Sequence, residues 1–359
     1  MPTLLASSVL AIPAGRSIIA AGSNHSVFLR DPDDIQASGN NNYVQITRPQ
    51  QTEYFEPIDV NASQVKQVAC GGEHTVFLFK DGTVRTIGRN NRGQLGDETN
   101  TNRSLLTPVA INNVKAVACG INHTLFLKED GTVKSCGYNF FGQLGDDSVS
   151  DRNSLVDVLI TGTVAGIAAG GSHSLFLMAD GTAKAVGYNM FGQLANNNTT
   201  SSQTVVDCSL SGIKQLDCGG SHSVFLLDDG TVKAVGYNAL GQIGVGSTDM
   251  SVSTPTDTGL TNIKNIACGT IHTMYVSNAY EVYAAGANNF GKLGDGSTQN
   301  RNSPVKLSVS DIIKASAGTN HTLLLTKYGE VLTCGNNALG QLALGASVTE
   351  KQTPTVSLF

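Results

Sequence analysis

All seven histidines of the chain occupy one position of a repeating pattern, 49 or 50 residues apart. They are His25, His74, His123, His173, His222, His272 and His321. Imidazoles that meet near the axis of a ring could bind a metal or transfer protons. Zinc accepts only about four ligands, and catalytic zinc sites use about three. Sevenfold occurrence therefore favours a structural role, and we expect each ring N–H to bond a backbone carbonyl of its own repeat.

Other residue types give no better candidate for catalysis. The glycine-rich loops do not contain the GxxxxGK[ST] pattern that cradles phosphate, and none precedes a helix. A GxSxG nucleophile motif and paired metal-ligand spacings are also absent from the sequence. The sequence therefore predicts a protein that is not an enzyme and has no catalytic residues, no metal and no cofactor.

The residues around each histidine define the repeating unit. A glycine stands three residues before every histidine and another stands fourteen residues after it. In the second unit, Gln64 to Cys70 and His74 to Phe79 form apolar runs that predict two strands. The pair Asp81-Gly82 predicts a two-residue hairpin turn into a third strand, and a fourth is expected near Pro108. Four short strands in each unit predict a propeller blade.

The predicted fold is all-β: a seven-bladed β-propeller of four-stranded antiparallel blades, forming a single domain over residues 1–359. The blade boundaries are expected at about 1–56, 57–106, 107–155, 156–204, 205–254, 255–303 and 304–352. Residues 353–359 (TPTVSLF) are predicted to return to the first blade as a terminal strand that closes the ring. The alternative closing strand is Pro2 to Val9. The large residue three positions after each histidine is predicted to pack between blades.

Composition limits the partners and the compartment. The formal charge is -5 without a basic cluster, which argues against nucleic acid and anionic membranes as partners. No stretch approaches the roughly 20 apolar residues of a membrane helix, and no basic residue precedes the first apolar run as in a signal peptide. Seven cysteines without a CxxC pair indicate reduced thiols in a cytoplasmic or similarly reducing compartment. The low charge and the Asn-rich surface would also suit a virion or an extracellular surface.

The loop after the third strand resembles the repeat of the regulator of chromosome condensation family. Six copies read GRNNRGQLG, GYNFFGQLG, GYNMFGQLA, GYNALGQIG, GANNFGKLG and GNNALGQLA, from Gly88, Gly137, Gly187, Gly236, Gly286 and Gly335. The resemblance implies a seven-bladed propeller. Founding members exchange nucleotide on a small GTPase through a wedge-like excursion and bind chromatin with a basic tail, whereas other relatives dock on proteins. This chain departs from the pattern in having no tryptophan, and its uniform spacing leaves no room for such an excursion.

Residues that vary between repeats are the candidates for partner binding. Arg92, Phe141 and Phe191 precede the Gly-Gln pair of the loop, where they either form an interface or fill the gap to the next blade. One position earlier, Phe140 and Met190 are the better candidates for exposure.

A second candidate is the irregular segment Thr47 to Phe55 of the first unit, which carries Arg48, Tyr54 and Phe55, residue types enriched at binding hot spots. We therefore predict a non-enzymatic scaffold that binds a protein partner through loops on one face. The alternatives are a structural or receptor-facing component of a virion or other larger assembly, and a guanine nucleotide exchange factor.

Overall fold

The protein is a seven-bladed β-propeller with almost no helix. The computed structural model describes residues 18–46 and 51–359. In these residues it has seven antiparallel sheets, each built from four strands that follow one another in the chain. The single helical element within the described ranges is a short 3-10 turn at Asn289–Gly291. The predicted fold class is confirmed.

The first four blades contain strands β1 to β16. Their bounds are Ile18–Ala21, His25–Asp31, Asp34–Asn40 and Glu53–Asp59; Val65–Cys70, His74–Phe79, Val84–Gly88 and Arg103–Pro108; Val114–Cys119, His123–Lys128, Val133–Gly137 and Arg152–Asp157; and Val164–Ala169, His173–Met178, Ala183–Gly187 and Ser202–Asp207.

The last three blades contain strands β17 to β28. Their bounds are Ile213–Cys218, His222–Leu227, Val232–Tyr237 and Ser251–Asp257; Ile263–Cys268, His272–Ser277, Val282–Gly286 and Arg301–Lys306; and Ile312–Ala317, His321–Thr326, Val331–Asn336 and Glu350–Val356.

The residue types of each strand match how buried that strand is within its blade. The second strand of the second blade, His74–Phe79, is buried at every position, as its unbroken apolar run predicts. The fourth strand, Arg103–Pro108, forms the outer edge and is largely exposed. Between the second and third strands, the turn holds three residues, because Phe79 N–H bonds Thr83 O, and Gly82 adopts φ 78° at its end. The prediction of a two-residue turn was therefore wrong, although the Asp-Gly pair does lie in the turn.

Packing between adjacent blades forms the hydrophobic core. Phe126 of the third blade lies in one cluster with Val76, Leu78 and Val84 of the second. Every other blade repeats this arrangement with the large residue three positions after its histidine, which confirms that prediction. A single blade has no partner for this face, so blades stabilise one another in sequence around the ring.

The ring closes without a shared strand, so the prediction for the C-terminal segment was wrong. β28 (Glu350–Val356) pairs with β27 in register Leu332↔Val356 and completes the last blade. The first blade already has a fourth strand of its own, β4 (Glu53–Asp59). Closure instead rests on contacts between β1 and the last blade, on stacking of Phe28 against Phe359, and on a bond of 3.1 Å from Thr319 N–H to Ser23 O. The alternative closing strand, Pro2 to Val9, lies outside the described residues.

The blade boundaries fall a few residues later than predicted. The expected boundary between residues 106 and 107 would divide β8 (Arg103–Pro108), which belongs wholly to the second blade. The connection to the next blade comes after this strand and runs from Val109 to β9 at Val114. Each blade is therefore one uninterrupted segment of sequence.

Candidate functional site

The seven histidines form a closed ring of hydrogen bonds from each blade to the next. Each Nε2 lies 2.9–3.0 Å from the side-chain hydroxyl of the residue that follows the next blade's histidine. The last member, His321, reaches Ser26 of the first blade. In chain order the hydroxyl partners are Thr75, Thr124, Ser174, Ser223, Thr273, Thr322 and Ser26.

The geometry fixes the tautomer of each imidazole. Each hydroxyl donates its own proton to a loop carbonyl of the preceding blade at 2.7–2.8 Å, as Thr124 does to Gln94 O. The hydroxyl can therefore only accept from the histidine, so Nε2 carries the proton and Nδ1 is bare. The expected bond from each histidine to a carbonyl of its own repeat was wrong. The bond instead joins two blades through a hydroxyl.

The glycine three residues before each histidine makes room for this ring. A Cβ at Gly71 would lie 2.2 Å from Cε1 of His74 and 2.7 Å from the carbonyl oxygen of Gly120 in the next blade. The equivalent glycines of the other blades are equally crowded. Any larger residue would separate neighbouring blades at the histidine.

Burial keeps the imidazoles neutral. Desolvation lowers the pKa of His74 and His222 to about 4. It lowers the pKa of His25, His123, His173 and His321 to about 3, and that of His272 well below its usual value. With Nε2 bonded to a hydroxyl of the next blade, these side chains hold neighbouring blades together.

The loop between the third and fourth strands is held rigid by its asparagine and glutamine. Asn90 accepts from Leu95 N–H at 2.9 Å and donates to Asp97 and to Thr99 O. Gln94 accepts from Arg92 N–H at 2.9 Å. Other blades repeat both sets of bonds, so each loop presents its tip in the same way.

The first-to-second and third-to-fourth strand loops lie at the same end of every blade, which we call the loop face. The strand register shows this, because His74, Gly88 and Arg103, which border those loops, lie side by side. The turns between second and third strands lie on the opposite face. Residues of all third-to-fourth strand loops are therefore neighbours around one rim.

An aromatic row follows this rim across the third to fifth blades. We define it as Tyr138, Phe141, Tyr188, Phe191 and Tyr237. Phe141 packs on Tyr188 of the next blade with ring centroids 4.7 Å apart, and Phe191 packs on Tyr237 at 4.8 Å. The residue before the Gly-Gln pair thus fills the gap to the next blade, which is one of the two roles considered for it.

Phe140 and Met190 extend outward from this row. They are 64% and 60% exposed, and Met250, in the equivalent loop of the fifth blade, is 63% exposed. Met250 precedes Ser251, whose hydroxyl donates to Phe191 O at 3.0 Å, so the residue after Met250 bonds the residue after Met190. We call Phe140, Met190 and Met250 the apolar patch. Whether it binds a partner remains a prediction.

The other candidates have different surroundings. The Arg92 guanidinium lies over the Tyr138 ring at 5.2 Å and pairs with Asp151 at 3.1 Å. Tyr54 lies in strand β4 and is buried, and Phe55 beside it is half-buried, so the end of the predicted irregular segment is part of a strand, and its role in binding stays a prediction. A loop of the last blade packs on this strand, since a Cβ at Gly340 would lie 2.1 Å from Tyr54 O. Arg48 lies outside the described residues.

Polar residues with no role predicted from the sequence lie on the innermost strands, around the axial channel. Its volume is about 130 Å³, and the innermost strands of all seven blades line it. The Gln67 amide bonds both Val117 O and Val117 N–H on the free inner edge of the next blade. Asp217 likewise accepts from Cys218 and Cys268 N–H. These side chains pair backbone groups that the sheets leave open.

All seven cysteines are free thiols. Burial raises the pKa of all seven cysteines, so they are poor nucleophiles. Residues 18–46 and 51–359 contain no group of three or more histidine, cysteine, aspartate or glutamate side chains placed to hold a metal. None of the helical structure in those ranges has the length and apolar character needed to span a bilayer.

Comparison with known proteins gives a consistent match. Residues 5–265 match the family model of the RCC1-like domain, and residues 281–325 and 312–341 match models of the regulator of chromosome condensation (RCC1) repeat. No curated protein matches the chain.

Among solved structures, human WBSCR16 is 25% identical with a TM-score of 0.78, covering 86% of both chains. Yeast RCC1 (Prp20) bound to Kap60 is 21% identical with a TM-score of 0.82, covering 90% of this chain and 83% of that one. Prp20p from Saccharomyces cerevisiae is 22% identical with a TM-score of 0.81, covering 90% and 86%.

Proposed function

This chain belongs to the family of RCC1-like domains, and from that premise we propose that it is a non-enzymatic scaffold that binds a protein partner through its loop face. The single observation that carries the proposal is the apolar patch. Phe140, Met190 and Met250 are exposed on the third-to-fourth strand loops of three successive blades, and internal hydrogen bonds hold those loops fixed. Large exposed apolar side chains grouped on one face of a protein mark an interaction site.

Rigidity of the support strengthens this proposal. The Asn139 side chain holds its loop by accepting from Leu144 N–H at 2.9 Å, and Phe141 anchors the same loop against the next blade. A partner that binds Phe140 therefore does not have to order the loop first. Pre-organisation of this kind reduces the entropic cost of binding.

The absence of an enzymatic role is inferred from the state of the reactive side chains. The histidines are neutral, buried and bonded between blades, and burial raises the pKa of the thiols. A general base needs access to substrate and a pKa near the operating pH. Neither group meets those requirements.

The proposal is tested by affinity capture from cells that express the chain, followed by quantitative mass spectrometry. The double variant Phe140→Asp and Met190→Asp should lose the partner that the natural sequence captures. Tyr328→Asp is the matched control, because Tyr328 is 70% exposed but lies in a turn on the opposite face. Retention of every partner by the double variant, with unchanged thermal stability, would refute this use of the loop face.

A second candidate function is nucleotide exchange on a small GTPase, and family membership is the observation that favours it. The similar yeast protein Prp20p is described by its binding to Gsp1p and histones. The test is release of fluorescent GDP from a panel of small GTPases. Acceleration that the double variant abolishes would establish exchange through the loop face, and no acceleration across the panel would exclude this function.

A further inference from the structure

Charge around the apolar patch is not balanced, and this imbalance indicates the chemistry of the partner. Four arginines lie in or beside the third-to-fourth strand loops of the second to fifth blades: Arg89, Arg92, Arg103 and Arg152. Each is already in an ion pair, with Glu73, Asp151, Asp97 and Asp146 respectively. The cations on this part of the loop face are therefore neutralised within the chain.

Several carboxylates on the same loops have no such partner. Glu98, Asp147 and Asp249 are exposed, and none of them forms an ion pair with another described residue. Asp147 belongs to the loop that carries Phe140, and Asp249 immediately precedes Met250. The loops that carry the apolar patch thus also carry unpaired carboxylates on the same face, which we call the acidic rim.

Lysine does not offset this rim. In the second to fifth blades, lysines occur only at the other end of the strands, in or next to the turns of the opposite face. Lys134 and Lys184, for example, are the second residues of their third strands and pair with Asp157 and Asp207 on that side. The loop face of these blades is therefore acidic and aromatic without free cations.

The contacts of the aromatic row indicate which kind of cation would bind beside it. Between the first three blades, the gap between neighbouring loops is filled by a guanidinium on a tyrosine ring: Arg89 over Tyr43 at 5.0 Å and Arg92 over Tyr138 at 5.2 Å. In the next two gaps phenylalanine replaces arginine. Aromatic rings beside carboxylates attract arginine in particular, because its planar and weakly hydrated guanidinium both stacks and forms ion pairs.

We propose that the apolar patch and its acidic rim bind an extended, arginine-containing segment of a partner protein. Guanidinium groups of the partner pack on Phe140 and on the two methionines, while Asp147 and Asp249 provide the opposing charge. This inference rests on the proposed function, since it concerns the same face. It goes further in assigning the partner's chemistry.

The test uses a fluorescein-labelled peptide of alternating arginine and glycine and a matched peptide in which citrulline replaces arginine. Citrulline keeps the shape and removes the charge. Fluorescence anisotropy should show binding of the arginine peptide that weakens with added salt, and little binding of the citrulline peptide. Phe140→Ala with Met190→Ala should weaken binding about tenfold. Asp147→Asn with Asp249→Asn should weaken it about threefold and reduce its salt dependence.

Tyr328→Ala, on the opposite face, should leave peptide affinity unchanged. Equal affinity for the citrulline peptide, or arginine-peptide binding that the patch variants do not alter, would overturn the inference. So would sedimentation velocity showing a dimer that Phe140→Asp with Met190→Asp dissociates, because a second copy of the chain would then cover the patch.

Failure of this inference can be told apart from failure of the proposed function. If affinity capture yields a partner that the aspartate double variant loses, but excess arginine peptide does not displace it, the loop face binds a protein of other chemistry. If the peptide displaces the captured partner, both conclusions stand.

Discussion

Acid should unfold this propeller in the window between pH 6.5 and about pH 4, because its seven histidines are buried as neutral rings. In the unfolded chain each imidazole takes up a proton near pH 6.5. In the folded chain desolvation lowers the pKa of six of them to about 3 or 4. Throughout that window the unfolded state binds more protons, so the free energy of unfolding falls as the pH falls.

The magnitude follows from the distance to the unfolded pKa. At pH 5 each histidine removes about 2 kcal/mol from the free energy of unfolding, at about 1.4 kcal/mol for each pH unit. Seven such residues remove on the order of 14 kcal/mol, which equals the entire stability of a typical domain. Asp97 does not add to the effect at pH 5. Burial opposes its ionisation, but bonds from Arg103 and Thr99 outweigh this and hold its pKa below the usual value, so its contribution is lost only in stronger acid.

The assay is urea unfolding followed by far-UV circular dichroism from pH 8 to pH 5, since the chain has no tryptophan for fluorescence. We expect the unfolding free energy to be nearly constant above pH 7 and to fall steeply below it. Proton uptake on unfolding at pH 5, measured by potentiometry, should approach seven protons for the seven histidines.

A single-site variant separates the histidines from other causes. His74→Gln should lower the free energy of unfolding at pH 8, because it removes the imidazole that bonds the Thr124 hydroxyl. It should also reduce the proton uptake on unfolding at pH 5 by about one proton. An unfolding free energy that is flat from pH 7 to pH 5 would refute the argument. So would imidazole NMR signals of the folded protein that titrate near pH 6.5.

Three other predictions follow from individual contacts. Thr124→Val should destabilise the protein by about 2 kcal/mol in urea unfolding, because it leaves the buried Nε2–H of His74 without an acceptor; no change would argue against the assigned tautomer. Val44→Gly should stabilise by about 1 kcal/mol in the same assay, because Val44 adopts φ 61°, where other loops have glycine, and a loss of stability would contradict the strain. Phe141→Ala should lower the thermal midpoint by several degrees, whereas Phe140→Ala should leave it unchanged; equal shifts would contradict the different packing of the two rings.

The number and type of blades could be predicted because the constraint on each repeat is local. The glycine and histidine of the second unit, Gly71 and His74, have equivalents in every unit, because the imidazole occupies the space where a Cβ on the glycine would lie. The period is therefore visible in the sequence. The hydroxyl residue after each histidine is equally regular and could have indicated the acceptor. Its bond, however, crosses to another blade, and the rotation between blades cannot be deduced from spacing.

The closing strand was misassigned because the first blade lacks the loop chemistry of the others. Val44 stands where a glycine normally marks the loop, so β4 (Glu53–Asp59) resembled an irregular segment. Without that strand the first blade appeared incomplete, and the C-terminal strand appeared to be its missing part. The pairing of Phe141 with Tyr188 was also not predictable, since it depends on contact between residues of different blades.

The polar residues of the innermost strands were missed for a related reason. The position of Gln67 is polar in four of the seven repeats and apolar or glycine in the others, and Asp217 stands where the other repeats have alanine or serine. Variation at such positions carries no periodic signal. Their role became apparent only when the inner edge of the neighbouring blade lay beside them.

Because each blade is one uninterrupted stretch of chain, a duplication or deletion of a single 49- or 50-residue unit would add or remove a whole sheet and leave no orphaned strand. In propellers in which one blade combines strands from both ends of the chain, the same duplication or deletion must leave that blade intact. Here all seven junctions share the same histidine–hydroxyl bond, so each junction offers a comparable site for recombination, and also for an engineer who wishes to exchange one blade for another.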